Sequence, residues 1–177
     1  RVSDHAKHPA SCARMEPERK EFVVDIFIER AAVEDAPEIL ALQKAAFRSE
    51  AEIYGDFSIE PLVQTQESLV QQFSTHVIWK AVHGNRIVGS VRARCEGDVG
   101  VEKLVVAPGF QGRGIGTLLM RAVESEFGDK TFVLWTGSRS ERNIGLYTKL
   151  GYETTGETRK QGNVTLIRLI KSRGAPD

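Results

Sequence analysis

The sequence predicts an α+β fold, a mixed β-sheet carrying helices on both faces. Three observations lead there. The apolar period switches from helical spacing to strict alternation near residue 76. A Gly84-Asn85 pair then separates two alternating runs, as in a hairpin. Finally, a strand-like run ends in a glycine-rich turn that opens an amphipathic helix.

Taken in order, residues 23–29 (VVDIFIE) alternate apolar and polar side chains and read as a strand. Residues 33–47 read as a helix, with Ile39, Leu42 and Ala46 at helical spacing and Pro37 in the first turn. Residues 49–66 are broken by Gly55 and Pro61 and read as a long irregular connection, a length that in compact domains is often functional. A short helix is expected over 67–73. Strands follow at 76–82, 86–95 and 99–107, the last after a turn at Glu96-Gly97-Asp98. A helix over 114–127 places Ile115, Leu118, Leu119, Ala122, Val123 and Phe127 on one face. A strand at 131–136, a helix at 141–150 and a strand at 164–170 complete the order βααβββαβαβ.

With 177 residues the chain is long enough for one sizeable core, and residues 22–172 are expected to form it as a single domain. Residues 1–21 are polar and expected to be a disordered tail; Met15 within them suggests that 1–14 are vector-derived or an upstream extension. Lys plus Arg equals Asp plus Glu, 24 of each. That balance argues against a nucleic acid or anionic membrane partner, both of which select for excess cations. Two cysteines, Cys12 and Cys95, suit a reducing, cytoplasmic setting rather than a disulfide framework. No apolar run approaches membrane-spanning length. The four histidines show no metal-ligand spacing, and no metal is expected. Cys95 reads as a small buried hydrophobe, and Trp79 and Trp135 as core.

The turn between the strand at 99–107 and the next helix reads Pro108-Gly109-Phe110-Gln111-Gly112-Arg113-Gly114-Ile115-Gly116. Backbone N–H groups converge at such a helix start, the dipole is positive there, and glycine admits a phosphate close to the main chain. Arg113 offers a charge-assisted contact. Two nucleotide motifs fail on single residues. Gly109 and Gly114 have Walker spacing, but Ile115 stands where the lysine belongs; Gly112 and Gly114 begin a dinucleotide fingerprint, but Thr117 replaces its third glycine.

The run Gln111-Gly112-Arg113-Gly114-Ile115-Gly116 resembles the Q/R-x-x-G-x-G/A motif of the GNAT superfamily of N-acetyltransferases. Asn143-Ile144-Gly145-Leu146-Tyr147 with Leu150-Gly151-Tyr152 resembles its second signature, and the likeness extends over residues 23–171. The resemblance implies a mostly antiparallel sheet splayed between its two central strands. It also implies acetyl-CoA as cosubstrate, direct transfer to an amine in a ternary complex, and a small-molecule or peptide amine as acceptor. Homodimers are frequent in the family, so a homodimer is expected. Leu104, Val105 and Val106 would bind the pantetheine arm through their backbone, and a backbone N–H near Val106 would face the oxyanion. Gln111, Gly112, Arg113, Gly114, Ile115, Gly116 and Thr117 would hold the pyrophosphate, and Asn143 would contact the cofactor arm or cap its helix. Tyr147 would be the general acid toward the sulfur, or else a packed helical tyrosine. Glu102 would be the general base, with water as the alternative. Tyr54, Asp56 and Glu60 either shape the acceptor site or are solvated loop residues. A rival reading keeps the same fold as an acyl-CoA sensor or protein-interaction module without turnover; Tyr147 argues against it, because a sensor needs no acid at the sulfur.

Overall fold

The computed structural model describes residues 25–172. The expected tail at 1–21 and the first two residues of the expected strand at 23–29 lie outside them. The described residues form seven strands: β1 (Ile26–Arg30), β2 (Val77–His83), β3 (Arg86–Glu96), β4 (Asp98–Val106), β5 (Phe132–Gly137), β6 (Glu153–Gln161) and β7 (Val164–Lys171). Five α-helices accompany them: α1 (Ala36–Tyr54), α2 (Glu60–Val63), α3 (Gln66–Gln72), α4 (Ile115–Phe127) and α5 (Glu141–Lys149). The strands form one sheet in the order β1-β2-β3-β4-β5-β7-β6. Every neighbouring pair is antiparallel except β4 and β5. The mixed, mostly antiparallel sheet of the sequence reading is therefore observed.

Alternation along the strands sorts side chains to the two faces. On one face Val88, Val91, Ala93 and Val101 pack with Ile115, Leu119, Met120 and Val123 of α4 and with Tyr147 of α5. On the other, Ile78, Ile87 and Val105 pack with Ile39, Leu40 and Leu42 of α1 and Leu69 of α3. Burying one such Leu, Ile or Val contributes roughly 1.5–3 kcal/mol, so both faces hold the sheet rather than one.

Two corrections concern elements. Residues 49–66 are not one irregular connection: α1 continues through Tyr54 to a C-cap at Gly55, and Glu60–Val63 forms a short helix. The carrying contacts are Ala51, fully buried, and Glu50, held from across the cleft described below. A strand absent from the sequence reading, β6, follows α5. Its sequence ETTGETRKQ lacks apolar alternation because it is the sheet edge, paired only with β7. Charge along such an edge suits solvent and discourages further strand pairing. Two residue assignments also change. Cys95 is exposed near the end of β3, beyond the reach of either helical layer, rather than buried. Trp135 is only partly buried and lines a cavity instead of the core, with the Arg159 guanidinium 4.4 Å from its ring centre. Trp79 does pack, half-buried, against the α4-side cluster.

Candidate functional site

The site begins with a failure of strand pairing. β4 and β5 pair at only three positions, Val99↔Phe132, Gly100↔Val133 and Val101↔Leu134, and then separate. The cause lies in β4. Its register against β3 steps from Arg92↔Glu102 to Ser90↔Val105, a bulge in which Lys103 takes φ 51°. A non-glycine residue in that conformation costs of order 1–3 kcal/mol, and a bulge bends its strand. Lys103 Nζ donates to Glu60 of α2, which anchors the bulge from the side. Past Val101, the edge of β4 that faces β5 has no strand partner, so its backbone groups look into a gap. Leu104, Val105 and Val106 all line that gap.

The gap leads to the glycine turn. Gly114 is the N-cap of α4 at φ 79°, a conformation that only glycine adopts without strain, and a Cβ there would meet nothing within 4 Å. The turn therefore opens onto space in front of the first amides of a 13-residue helix. Gln111 Nε2 donates to the Val106 carbonyl at 3.0 Å, tying the turn to the end of β4. Arg142 of α5 donates to Gln111 Oε1 from the opposite bank. The resulting cleft, about 910 Å³, is lined by Gln111, Gly112, Gly114, Ile115, Gly116 and Thr117, with Arg139, Arg142 and Lys149 supplying positive charge. A long anionic ligand fits this shape and charge, and coenzyme A is one. Arg113 is not on the lining; its guanidinium lies 5.2 Å from the centre of the Phe110 ring.

A second cavity of about 530 Å³ lies against the splayed strands, lined by Glu60, Glu102, Lys103, Trp135, Tyr147 and Arg159 among others. Phe47, Glu50, Leu104 and Asn143 line both cavities and so mark where they meet. Asn143 and Tyr147 are one turn apart on α5 and share a face. Tyr147 is buried, and its ring packs 5.9 Å from that of Tyr152. Burial, reinforced by the Glu50 carboxylate, pushes its hydroxyl well above the ordinary tyrosine range. It is therefore a fully protonated donor at neutral pH. Glu102 has a half-exposed side chain with its carboxylate 3.9 Å from His76 Nε2. Burial lowers the His76 pKa, and Glu102 opposes that.

Several cavity residues escaped the sequence reading. Glu50 belongs to the C-terminal turns of α1, and burial raises its pKa. Ser140, the N-cap of α5, donates to Glu50 Oε1. The signal was the apolar spacing Ala46, Leu42 and Ile39, which continues to Ile53 and places Glu50 within the helix. Arg92 has no exposed surface and donates to Gln43, Gln64 and Gln72. Gln43 in turn donates to the Pro61 carbonyl at 2.8 Å, so the network fastens α2 and α3 over the sheet. Burial lowers the Arg92 pKa to about 10. Of the loop candidates, Glu60 lines the second cavity. Tyr54 accepts the Arg139 N–H at 2.8 Å, and Asp56 accepts from Ser58. Among the described residues no cluster of three or more His, Cys, Asp or Glu is disposed to hold a metal ion. Among them, too, no helix is long and apolar enough to cross a membrane.

Residues 74–154 match the family model described as an acetyltransferase (GNAT) domain. That span, which holds the glycine turn and α5, is similar to a GNAT domain. No curated protein matches at the sequence level. Solved GNAT-fold structures do match. The PaiA N-acetyltransferase of Thermoplasma acidophilum, solved in complex with coenzyme A, has a TM-score of 0.66 at 15% identity, covering 81% of this chain and 98% of that one. An N-acetyltransferase from Staphylococcus aureus gives 0.70 at 19%, covering 85% and 99%. An IAA acetyltransferase from Bacillus cereus gives 0.59 at 23%, covering 84% and 99%. At these identities the likeness is one of fold. The GNAT fold supports acetyl transfer from acetyl-CoA in general.

Proposed function

We propose that the protein is an N-acetyltransferase that moves the acetyl group of acetyl-CoA to a primary amine by direct transfer in a ternary complex. The observation that carries this reading is the meeting of two cavities at the end of the β4–β5 gap, with a buried, protonated Tyr147 on the wall. In this reading the cleft under the glycine turn takes coenzyme A and the second cavity takes the acceptor. Backbone N–H groups of Gly112, Gly114, Ile115, Gly116 and Thr117 cradle the pyrophosphate, with Gln111 holding the turn in place. Backbone groups on the β5-facing edge of the Leu104, Val105 and Val106 stretch bind the pantetheine arm as a strand would, and an N–H group there faces the developing oxyanion. Asn143 orients the arm where the cavities meet.

The thioester supplies an activated acyl group with a thiolate as leaving group. Glu102, half exposed in the acceptor cavity, meets the incoming ammonium as a counter-charge. Tyr147 protonates the sulfur as the C–S bond breaks; its high pKa makes the hydroxyl a poor acid in isolation but a matched one for a basic thiolate in a dry site. Thiol release from acetyl-CoA across a panel of primary amines, with calorimetry for coenzyme A, tests the proposal. Amine-dependent release is expected. Tight coenzyme A binding without release from any amine would replace the enzyme by a sensor.

A further inference from the structure

The end of β5 carries a cluster of oxygens that the reading above does not use. Gly137 closes the strand, and a Cβ on it would lie 2.6 Å from Ser140 Oγ, 2.6 Å from Tyr54 Oη and 2.7 Å from Glu50 Oε1. Three oxygens from α1 and the start of α5 thus converge on a position that only glycine can occupy. Ser140 Oγ donates to Glu50, and the Arg139 N–H is bonded to Tyr54 Oη at 2.8 Å. Glu50 Oε1 is therefore held by a short polar side chain on a helix N-cap. Such an arrangement fixes a carboxylate without neutralising it, since no Lys, Arg or His among the described residues forms an ion pair with Glu50. Glu50 is the one carboxylate that lines both cavities.

We propose that Glu50 is the general base that takes the proton from the acceptor's ammonium at the point of attack, its carboxylate aimed by Ser140 and by the absence of a side chain at Gly137. The assignment rests on the transferase reading and divides the acid–base work. The ammonium gives one proton to Glu50, and the freed nitrogen bonds to the thioester carbon. The C–S bond then breaks, the thiolate takes the Tyr147 proton, and the second nitrogen proton restores Tyr147. One proton leaves Glu50 for solvent per turnover, which balances ammonium plus thioester against amide plus thiol. Burial raises the carboxyl above the ordinary glutamate range, which makes it a stronger base than a surface glutamate. The Tyr54 hydroxyl lies beside it, and the Tyr147 hydroxyl lines the acceptor cavity that it shares. Arg139 and Arg142 share the coenzyme side, and Glu102 and Lys103 the acceptor side.

Glu50→Gln keeps the acceptor for Ser140 and removes the base. In the full-length protein, amine kcat/KM should fall about 10²–10³-fold at pH 7 with coenzyme A affinity unchanged, and the acid limb of the wild-type pH–rate profile should vanish. Full kcat/KM with that limb intact, in a wild type active on the same amine, would overturn the Glu50 assignment alone. Absence of amine-dependent turnover in the wild type would overturn the transferase reading and this inference with it. Should Glu50→Gln fail to fold, Glu50→Asp decides. A carboxylate one methylene short should lower kcat at least tenfold and keep the limb; wild-type kcat, or a lost limb, overturns the proposal.

Discussion

Replacing Tyr147 by phenylalanine isolates one oxygen. The ring is buried and packs 5.9 Å from Tyr152, and phenylalanine repeats that packing. Only the hydroxyl is lost, a volume smaller than a methylene, so stability should change by no more than ~1 kcal/mol. The kinetic effect should be far larger. Acid–base groups contribute about 10²–10⁴-fold, or roughly 2.7–5.5 kcal/mol at 1.36 kcal/mol per decade. Because burial holds the hydroxyl protonated well above neutral pH, the loss should be the same from pH 6 to pH 9. Thiol release at saturating acetyl-CoA, a thermal melt and coenzyme A calorimetry make up the assay. A drop in kcat with unchanged KM for acetyl-CoA supports the acid role. Full kcat with weakened coenzyme A binding would make the hydroxyl a cofactor contact, and full activity with a lowered melting temperature would leave it a packing residue.

Other outcomes follow from the same geometry. Gly114→Val puts a β-branched residue at φ 79° in front of the helix amides, and coenzyme A affinity by calorimetry should weaken at least about tenfold; unchanged affinity sinks the turn as the pyrophosphate site. Gly137→Ala drives a Cβ into three oxygens 2.6–2.7 Å away and should cost about 1–3 kcal/mol in chemical denaturation together with most of kcat. Glu50→Gln should hold or raise stability at pH 7: a raised folded pKa means the folded state loses stability as pH climbs from the unfolded value through the folded one, and glutamine removes that loss. Melts at pH 4 and pH 7 check the sign, with the advantage confined to pH 7. Arg92→Leu removes the charged donor shared by the amide oxygens of Gln43, Gln64 and Gln72 and should cost about 3 kcal/mol by denaturation, raising KM for the amine more than for acetyl-CoA.

Legibility in the sequence tracked the reach of each physical signal. The α4 stripe and the β2–β4 alternation were plain because each buries one face against a neighbour. β6 was invisible because an edge strand that buries almost nothing leaves no apolar period. The end of α1 was hidden by its polar composition, and Glu50 with it, although Gly55 stood where a helix terminator belongs. Trp135 looked like core because alternation says which face a residue takes, not whether that face is covered. The bulge at Lys103 had no signal, since nothing in EKLVV distinguishes a lysine in the left-handed region from one in a plain strand.

That parting of β4 from β5 has a consequence for how the molecule tolerates change. The surface that the gap exposes is written in peptide groups, which every residue but proline presents in full, so most substitutions along Leu104, Val105 and Val106 alter bulk without erasing donors or acceptors. Inheritance then has little to guard there beyond a bend and a few glycines. Such a surface is compatible with one outline carried by very different sequences, as the fold shared with the Thermoplasma acidophilum enzyme at 15% identity illustrates.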